Sequence, residues 1–513
     1  MIPAGMHSSD KIDGTREREI PVALYWLPVV VSSAAFTAYF LARRSPGLFW
    51  AFNLWDYLYG PLPYLFAACA AVFSLPPFLK YMTRCFERFA DRPFNFKVKG
   101  TALLVLRAVV IICIFLILWT FREVRYTGDA DFLKTLVSYG KPFRIQEAGG
   151  LFLFFAAAVS EKYLGLNFET ILDAMICGSG VIFFVCLYKL ACLLFESTWQ
   201  RLLAFVLLAV PGYSRLFFGH MEVYGFHLAA CSAYFYFAIL YLKRRRRIFL
   251  PALCFGVALW LHLSTLFLAP SLVYLIVERR HEIRQSREMI RLVASCSFFA
   301  LLPALSFLLA MEVSGYWNYI GQAFVDLTQI LFGGRNQADL PVIIPFFGPR
   351  TYVYNGSQAT QYHFLSKDHM LFLLNSNFIL APAGLLTAAV LLVASIKKNK
   401  LSSPILRFIL VTSVFMTAYS LVLYPFFWAY DWDLFSVTAF CNTLLATHLL
   451  LHYFERRRVA VYLAIYLLSF SLFFSSLPFI LVGSMKEVKE AGPFSLPRVP
   501  SDVLLKGTLR KAP

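Results

Sequence analysis

Charge is what this chain has least of. Only 15% of its 513 residues are Asp, Glu, Lys or Arg, against about a quarter in soluble globular domains. Acids are the scarcer sign, 29 against 47 Lys and Arg. With 59% hydrophobic residues and a mean hydropathy of +0.66, a soluble globule is excluded, because so much apolar surface requires lipid as its solvent. Also lacking are an internal repeat and a Gly-rich phosphate loop, so nucleotide binding of the P-loop or Rossmann kind is excluded. No CxxC or Cys/His spacing points to structural zinc.

Of the ten cysteines, Cys69, Cys113, Cys177, Cys186, Cys192, Cys231, Cys254, Cys296 and Cys441 fall in apolar segments, and Cys85 falls in a basic loop. None lies in a predicted outer loop, where disulfides would form, so they read as small packing residues. The net charge of +18 does not indicate nucleic acid. The cations gather in short loops at Lys80 to Lys99, Lys243 to Arg247, Arg279 to Arg291, Lys397 to Lys400 and Arg456 to Arg458, as the positive-inside rule places them. Such clusters can also meet anionic headgroups.

What is there is a series of apolar runs long enough to cross a bilayer. They lie near 21–42, 58–79, 101–121, 170–194, 202–218, 223–242, 292–311, 371–395, 405–424, 434–452 and 460–483. Phe249 to Val277 is interrupted by Pro251, His262 and Pro270 and reads as two short helices meeting near His262. The expectation is an all-α polytopic membrane protein with about 13 transmembrane helices. The N-terminal run from Ile20 to Ala42 follows Lys11, Arg16 and Arg18 but is too long for a signal h-region, and reads as a retained helix.

With a cytoplasmic N-terminus, every basic cluster falls on the cytoplasmic side, and only Lys486, Lys489 and Arg498 of the tail run against the rule. The outer segments are then Arg122 to Gly150, Arg215 to Glu222, Glu312 to Met370, and Tyr430 to Asp433. Gly150 to Leu164 reads as an interfacial amphipathic helix beside the first of them.

Asp129-Ala130-Asp131 places two carboxylates at the outer mouth of the run from Thr101 to Phe121. Charges cost about 2.5 to 3.5 kcal/mol at a bilayer centre, so acids near a membrane need a partner or a task. These two can serve as a general base or a cation clamp; as Asp residues they can also merely cap a loop helix. His220 and Glu222 supply an imidazole and an acid at the next outer turn, where a helix-capping role for Glu222 is the plainer alternative. Asp431-Trp432-Asp433 repeats the acidic pattern with Tyr430 and Trp428 beside it; Trp432 offers a face for sugar packing, or belongs to an interfacial aromatic belt. Asn355-Gly356-Ser357 is a sequon of little weight.

The order of these features resembles the GT-C superfamily of polytopic glycosyltransferases, such as the protein O-mannosyltransferases and the lipid A aminoarabinose transferase, in a bacterial branch. Thr101 to Phe121, the Asp129-Ala130-Asp131 loop, Glu222 and the segment Gly256 to Pro270 follow one another as those families' elements do, over roughly residues 97 to 380. The Asp431 to Phe435 and Phe372 to Asn375 segments are similar to ones in bacterial membrane proteins of this type. Two features depart from the pattern: the first two helices are extra, and His262 stands where a Leu-Thr-Lys-type segment is common.

The resemblance implies three regions: a two-helix extension with a basic loop over 1–96, a catalytic module over 97–483 and a tail over 484–513. It implies inverting sugar transfer from a polyprenyl-phosphate donor to a hydroxyl of a lipid, glycan or protein at the outer face of a cell membrane, the bacterial inner membrane being the expected one. On that reading Asp129 is the base. Asp131 and Glu222 orient the acceptor, or all three hold a divalent cation such as Mg or Mn. His220, Asp431, Trp432 and Asp433 complete the substrate site, while His262, Arg335, Arg350, His363, Lys367 and His369 are candidates for the leaving phosphate.

A transporter or lipid-linked glycan flippase is the main alternative, kept open by His227 and by the break at His262. Arg107 and Lys189 lie near cytoplasmic ends, and Asp173 and Glu222 near outer ends, which leaves little charge at mid-membrane. A non-catalytic membrane scaffold and a glycan polymerase or ligase are further alternatives.

Overall fold

A computed structural model describes residues 20–45, 48–90, 100–124, 148–244, 247–280, 286–313, 343–354, 357–397, 403–425, 428–454 and 456–485. Apart from one two-stranded hairpin, Arg350–Tyr354 (β1) paired antiparallel with Ser357–Gln361 (β2), their regular structure is helical.

Eight helices among these residues are long and apolar enough to cross a membrane, or up to ten if two bent pairs each count as one span. The protein is therefore a polytopic helical membrane protein; among the described residues, these eight to ten full-length spans stand beside an expectation of about 13 transmembrane helices, a number that included short ones. The bends and breaks have local causes. Leu62–Val72 (α2) turns by 80° into Pro76–Ala90 (α3), where Pro76 and Pro77 cannot continue the preceding helix. Lys367–Leu380 (α12) turns by 94° into Leu385–Lys397 (α13) across Pro382. The run near 202–218 divides at Pro211 into Thr198–Ala209 (α7) and a 3-10 turn, Gly212–Phe217. Phe249–Leu261 (α9) stops at His262, whose backbone is extended, and continues as a 3-10 turn, Leu263–Leu268, and then Ala269–Glu278 (α10). This is the break expected at His262.

Val22–Arg44 (α1), Thr101–Thr120 (α4), Phe168–Leu194 (α6), Tyr224–Arg244 (α8), Ser286–Val313 (α11), Pro404–Val422 (α14), Ser436–Tyr453 (α15), and Arg457–Ser471 (α16) running through a π turn into Leu477–Ser484 (α17) supply the long spans. The span that contains α15 is 94% buried and forms the centre of the bundle, whereas α4 is 6% buried and turns nearly all its Leu, Ile and Val outward, as a lipid-facing helix does.

Polar contacts sort the helix ends into two groups. Arg458 pairs with Glu87 at 3.1 Å, Arg407 with Glu278 at 3.6 Å, and Gln200 donates to the Leu451 carbonyl at 3.0 Å. These ties join the ends that carry the basic clusters. At the opposite end, Glu123 N–H donates to Phe218 O at 2.5 Å and Val124 N–H to Gly483 O at 3.1 Å. Gly483, near the end of α17, is thereby tied to the acid-bearing end.

Ala148–Leu164 (α5) begins at that same end. A Cβ on Gly149 would lie 2.6 Å from Trp260, and one on Gly150 would lie 2.1 Å from Val223, so the two glycines let α5 seat directly on α9 and on the turn that precedes α8.

Candidate functional site

The acid-bearing end is assembled from three chain segments that the apolar runs deliver to one place. After α4 ends, the chain presents Arg122 and Glu123. Between α7 and α8 a tight turn presents Arg215, His220 and Glu222. Gly219 has φ +71°, and a Cβ there would sit 3.0 Å from Arg122 and 3.1 Å from Asp173, so both space and backbone conformation call for glycine. The third segment is the 3-10 turn Trp428–Phe435 that leads into α15 and carries Asp431, Trp432 and Asp433.

His220 is the hub. Its Nδ1 lies 2.6 Å from Glu123 Oε2, its Nε2 3.1 Å from Asp433 Oδ2 and 3.9 Å from Glu222 Oε1. Arg215 Nη2 donates to Glu123 Oε1. Glu123, Arg215, His220, Glu222 and Asp433 are each no more than 5% exposed. Three carboxylates against two cations leave the cluster one negative charge, and burial makes each pairing count, since an unpaired charge in such a place is very costly.

Arg215 is also packed among side chains: its guanidinium lies 4.2 Å from the Phe479 ring centroid and 5.5 Å from that of Trp432. A Cβ on Gly483 would come within 2.9 Å of its Nη2. Trp432 sits 4.9 Å from the His220 ring and 4.8 Å from Phe479, and is buried. Its indole serves as packing between these groups rather than as an open face for a sugar.

Burial opposes charge at both Glu123 and His220, and the partners win. Despite desolvation, the Arg215 guanidinium and His220 hold the Glu123 carboxyl below the usual range. Against the same penalty, Glu123 and Asp433 push the His220 pKa up to about 9. At neutral pH His220 is an imidazolium that donates to one carboxylate through each nitrogen.

The donor set also suits a divalent cation. One ligand atom each from His220, Glu222 and Asp433 lies within 4.8 Å of the others, and Glu123 on Nδ1 is the outer-shell carboxylate that leaves Nε2 for a metal. Proton and cation compete for that nitrogen.

Of the acids expected at the site, Glu222 is in the cluster, while Asp129 and Asp131 lie outside the described residues. So does Arg335. Asp431 is half-buried, two residues from Asp433 on the same turn. Asp433 uses its second oxygen to accept the Leu434 N–H at 2.9 Å.

His262 lies instead beside His227 and Tyr224, with ring centroids at 5.2 and 5.0 Å, and its Nδ1 accepts the Ser264 N–H at 3.1 Å. His227 Nε2 lies 2.7 Å from the Thr265 hydroxyl. The break in α9 thus builds a second polar group, one turn into α8 from Glu222. His363 lies between β2 and α12, and Lys367, the first residue of α12, is exposed. His369 is buried, with Nδ1 2.7 Å from the Phe364 carbonyl and its ring stacked on Tyr362. Arg350 begins β1, paired with Gln361.

Glu123 and Arg215 were not among the expected site residues, nor was the pair of Arg122 with Asp173, 3.3 Å apart. A signal was available: Arg122 and Arg215 are cations on the side where the positive-inside rule places few.

Neither a protein-family model nor a curated protein sequence matches the chain. Among solved structures, the chain is similar to ArnT from Cupriavidus metallidurans, crystallised with undecaprenyl phosphate, at 12% identity and a TM-score of 0.42, over 75% of this chain and 78% of that one.

Proposed function

We propose that this protein is a glycosyltransferase that moves a sugar from a polyprenyl-phosphate donor to a hydroxyl acceptor, with inversion, at the membrane surface that carries the acid cluster. The observation that carries the reading is the convergence of Glu222 and Asp433, from two different helix mouths, on His220. The order of motifs along the chain supports it. A lipid-tethered donor diffuses within the bilayer, so its catalyst must gather acids and cations at the interface.

In the proposed step the acceptor oxygen attacks the anomeric carbon as its proton passes to a carboxylate. The bond from that carbon to the phosphate oxygen breaks, and the phosphate departs with the electron pair. Asp129 is the proposed base, with Asp131 and Glu222 orienting it. Glu222 is the described acid proposed to assist: it opens the turn before α8 and its Oε1 lies 3.9 Å from His220 Nε2.

His262, Arg335, His363, Lys367 and His369 are the proposed contacts to the leaving phosphate, and Asp431 to sugar hydroxyls. Where a divalent cation is used, His220, Glu222 and Asp433 would hold it, and it would supply positive charge for the departing phosphate.

The transporter reading draws on the His227 and His262 pair inside the bundle. Purified protein in sealed vesicles loaded with a labelled polyprenyl-phosphate sugar separates the two. Appearance of sugar on an added acceptor, with release of polyprenyl phosphate, supports transfer; movement of the intact lipid-linked sugar across the bilayer without cleavage refutes it.

A further inference from the structure

The clearest unassigned surface is α3, at the end of the bundle away from the acid cluster. Its place follows from two contacts. Glu87, near the end of α3, pairs with Arg458 at the start of α16; the continuous span from Arg457 to Ser484 then rises about 39 Å at 1.5 Å per residue to Gly483, which is bonded to Val124 beside the cluster. At 80° to α2, α3 departs sharply from the direction of the helix before it.

With 3.6 residues per turn, the sequence Pro76 to Ala90 divides α3 into three sides. Leu79 and Thr83 are buried and face the bundle, with α16 as the main neighbour. Lys80, Arg84 and Arg88 follow one another at four-residue spacing along a second side, where Arg84 and Arg88 are exposed. Tyr81, Cys85 and Phe89 repeat that spacing on the third, with Tyr81 and Phe89 exposed. A helix standing upright in lipid would have no use for the cationic side, and a helix in water none for the exposed rings. One lying along the surface uses both: rings toward the acyl chains, cations toward the headgroups, and Leu79 and Thr83 against the protein.

We infer that α3 is an interfacial helix whose Lys80, Arg84 and Arg88 bind the headgroups of anionic phospholipids in the leaflet opposite the acid cluster. The occupant follows from charge. Three cations stand against one acid, Glu87, which is already paired with Arg458, and a phosphate-rich, net-negative headgroup layer is the complementary surface.

The test compares the full-length protein with the variant R84Q/R88Q, and with K243Q/R244Q, which removes two exposed cations from the last turn of α8. Each is placed in nanodiscs of phosphatidylcholine and phosphatidylglycerol at equal mole fraction, and the lipid retained after extraction is counted by native mass spectrometry. The wild-type chain should retain phosphatidylglycerol in preference, R84Q/R88Q should lose most of that preference, and K243Q/R244Q should keep it. Thermal midpoints in phosphatidylcholine alone should coincide, since Arg84 and Arg88 are exposed. No preference in the wild type, or equal losses in the two variants, overturns the assignment.

Discussion

His220 bridges Glu123 and Asp433, one carboxylate on each ring nitrogen at 2.6 and 3.1 Å, and so ties the segment after α4 to the turn that opens α15. With Arg215 on the far oxygen of Glu123, a single buried chain of charge fastens three loops over the end of the bundle. The predictions follow from that chain.

Removing one charge strands its partners. Glu123→Gln leaves Arg215 and His220 buried without their shared carboxylate, and should lower stability by about 3 to 5 kcal/mol, the range for breaking a buried pair from one side. Thermal unfolding in detergent checks it. A midpoint within a degree or so of wild type would mean that Glu123 is not buried as described.

The pH dependence has two limbs. His220 has a raised pKa, so its contribution is fully present below the ordinary imidazole value of 6.5 and is lost as pH rises through about 9. Glu123 has a depressed one, so its contribution is present above the ordinary value of 4.5 and is lost as pH falls through the lower folded value. The midpoint of thermal unfolding should decline on the alkaline side between these values for His220, and His220→Gln should flatten that limb while lowering the plateau.

Gly483 is a packing requirement rather than a hinge. Gly483→Ala places a methyl against the Arg215 guanidinium, which Glu123, Phe479 and Trp432 already confine. Overpacking of this kind costs about 1 to 3 kcal/mol. A neutral effect on the unfolding midpoint would show that Arg215 has room to move.

A cation at the cluster must displace the proton on His220 Nε2. Binding of Mn2+, followed by electron paramagnetic resonance, should tighten by up to about tenfold per pH unit between pH 6 and 8, as expected when one proton is released, and His220→Gln should abolish it. Affinity that is flat across this range contradicts the proposed ligand set.

Much of the architecture was legible from hydropathy and from where Lys and Arg fall. The break at His262 was visible because Pro251, His262 and Pro270 interrupt an otherwise unbroken apolar run. The count of full-length spans was not legible, because apolar composition says nothing of the 80° and 94° bends that shorten two of them. Glu222, His220 and Asp433 could be picked out as polar groups at helix mouths. Glu123 could not: it stands three residues past the Thr120 end of α4, and its partner Arg215 is 92 positions away. Pairing at that separation is set by helix packing, and composition shows only the oddity of an arginine on the acid-bearing side.

The central claim is that the acids gathered around His220 serve sugar transfer. The direct test is the rate at which purified Glu222→Gln releases polyprenyl phosphate from a labelled polyprenyl-phosphate sugar in the presence of an acceptor, measured beside wild type with matched thermal unfolding. The account predicts a loss of about a hundredfold or more, the scale of a positioned acid or base. Wild-type rates in a folded Glu222→Gln protein would contradict it.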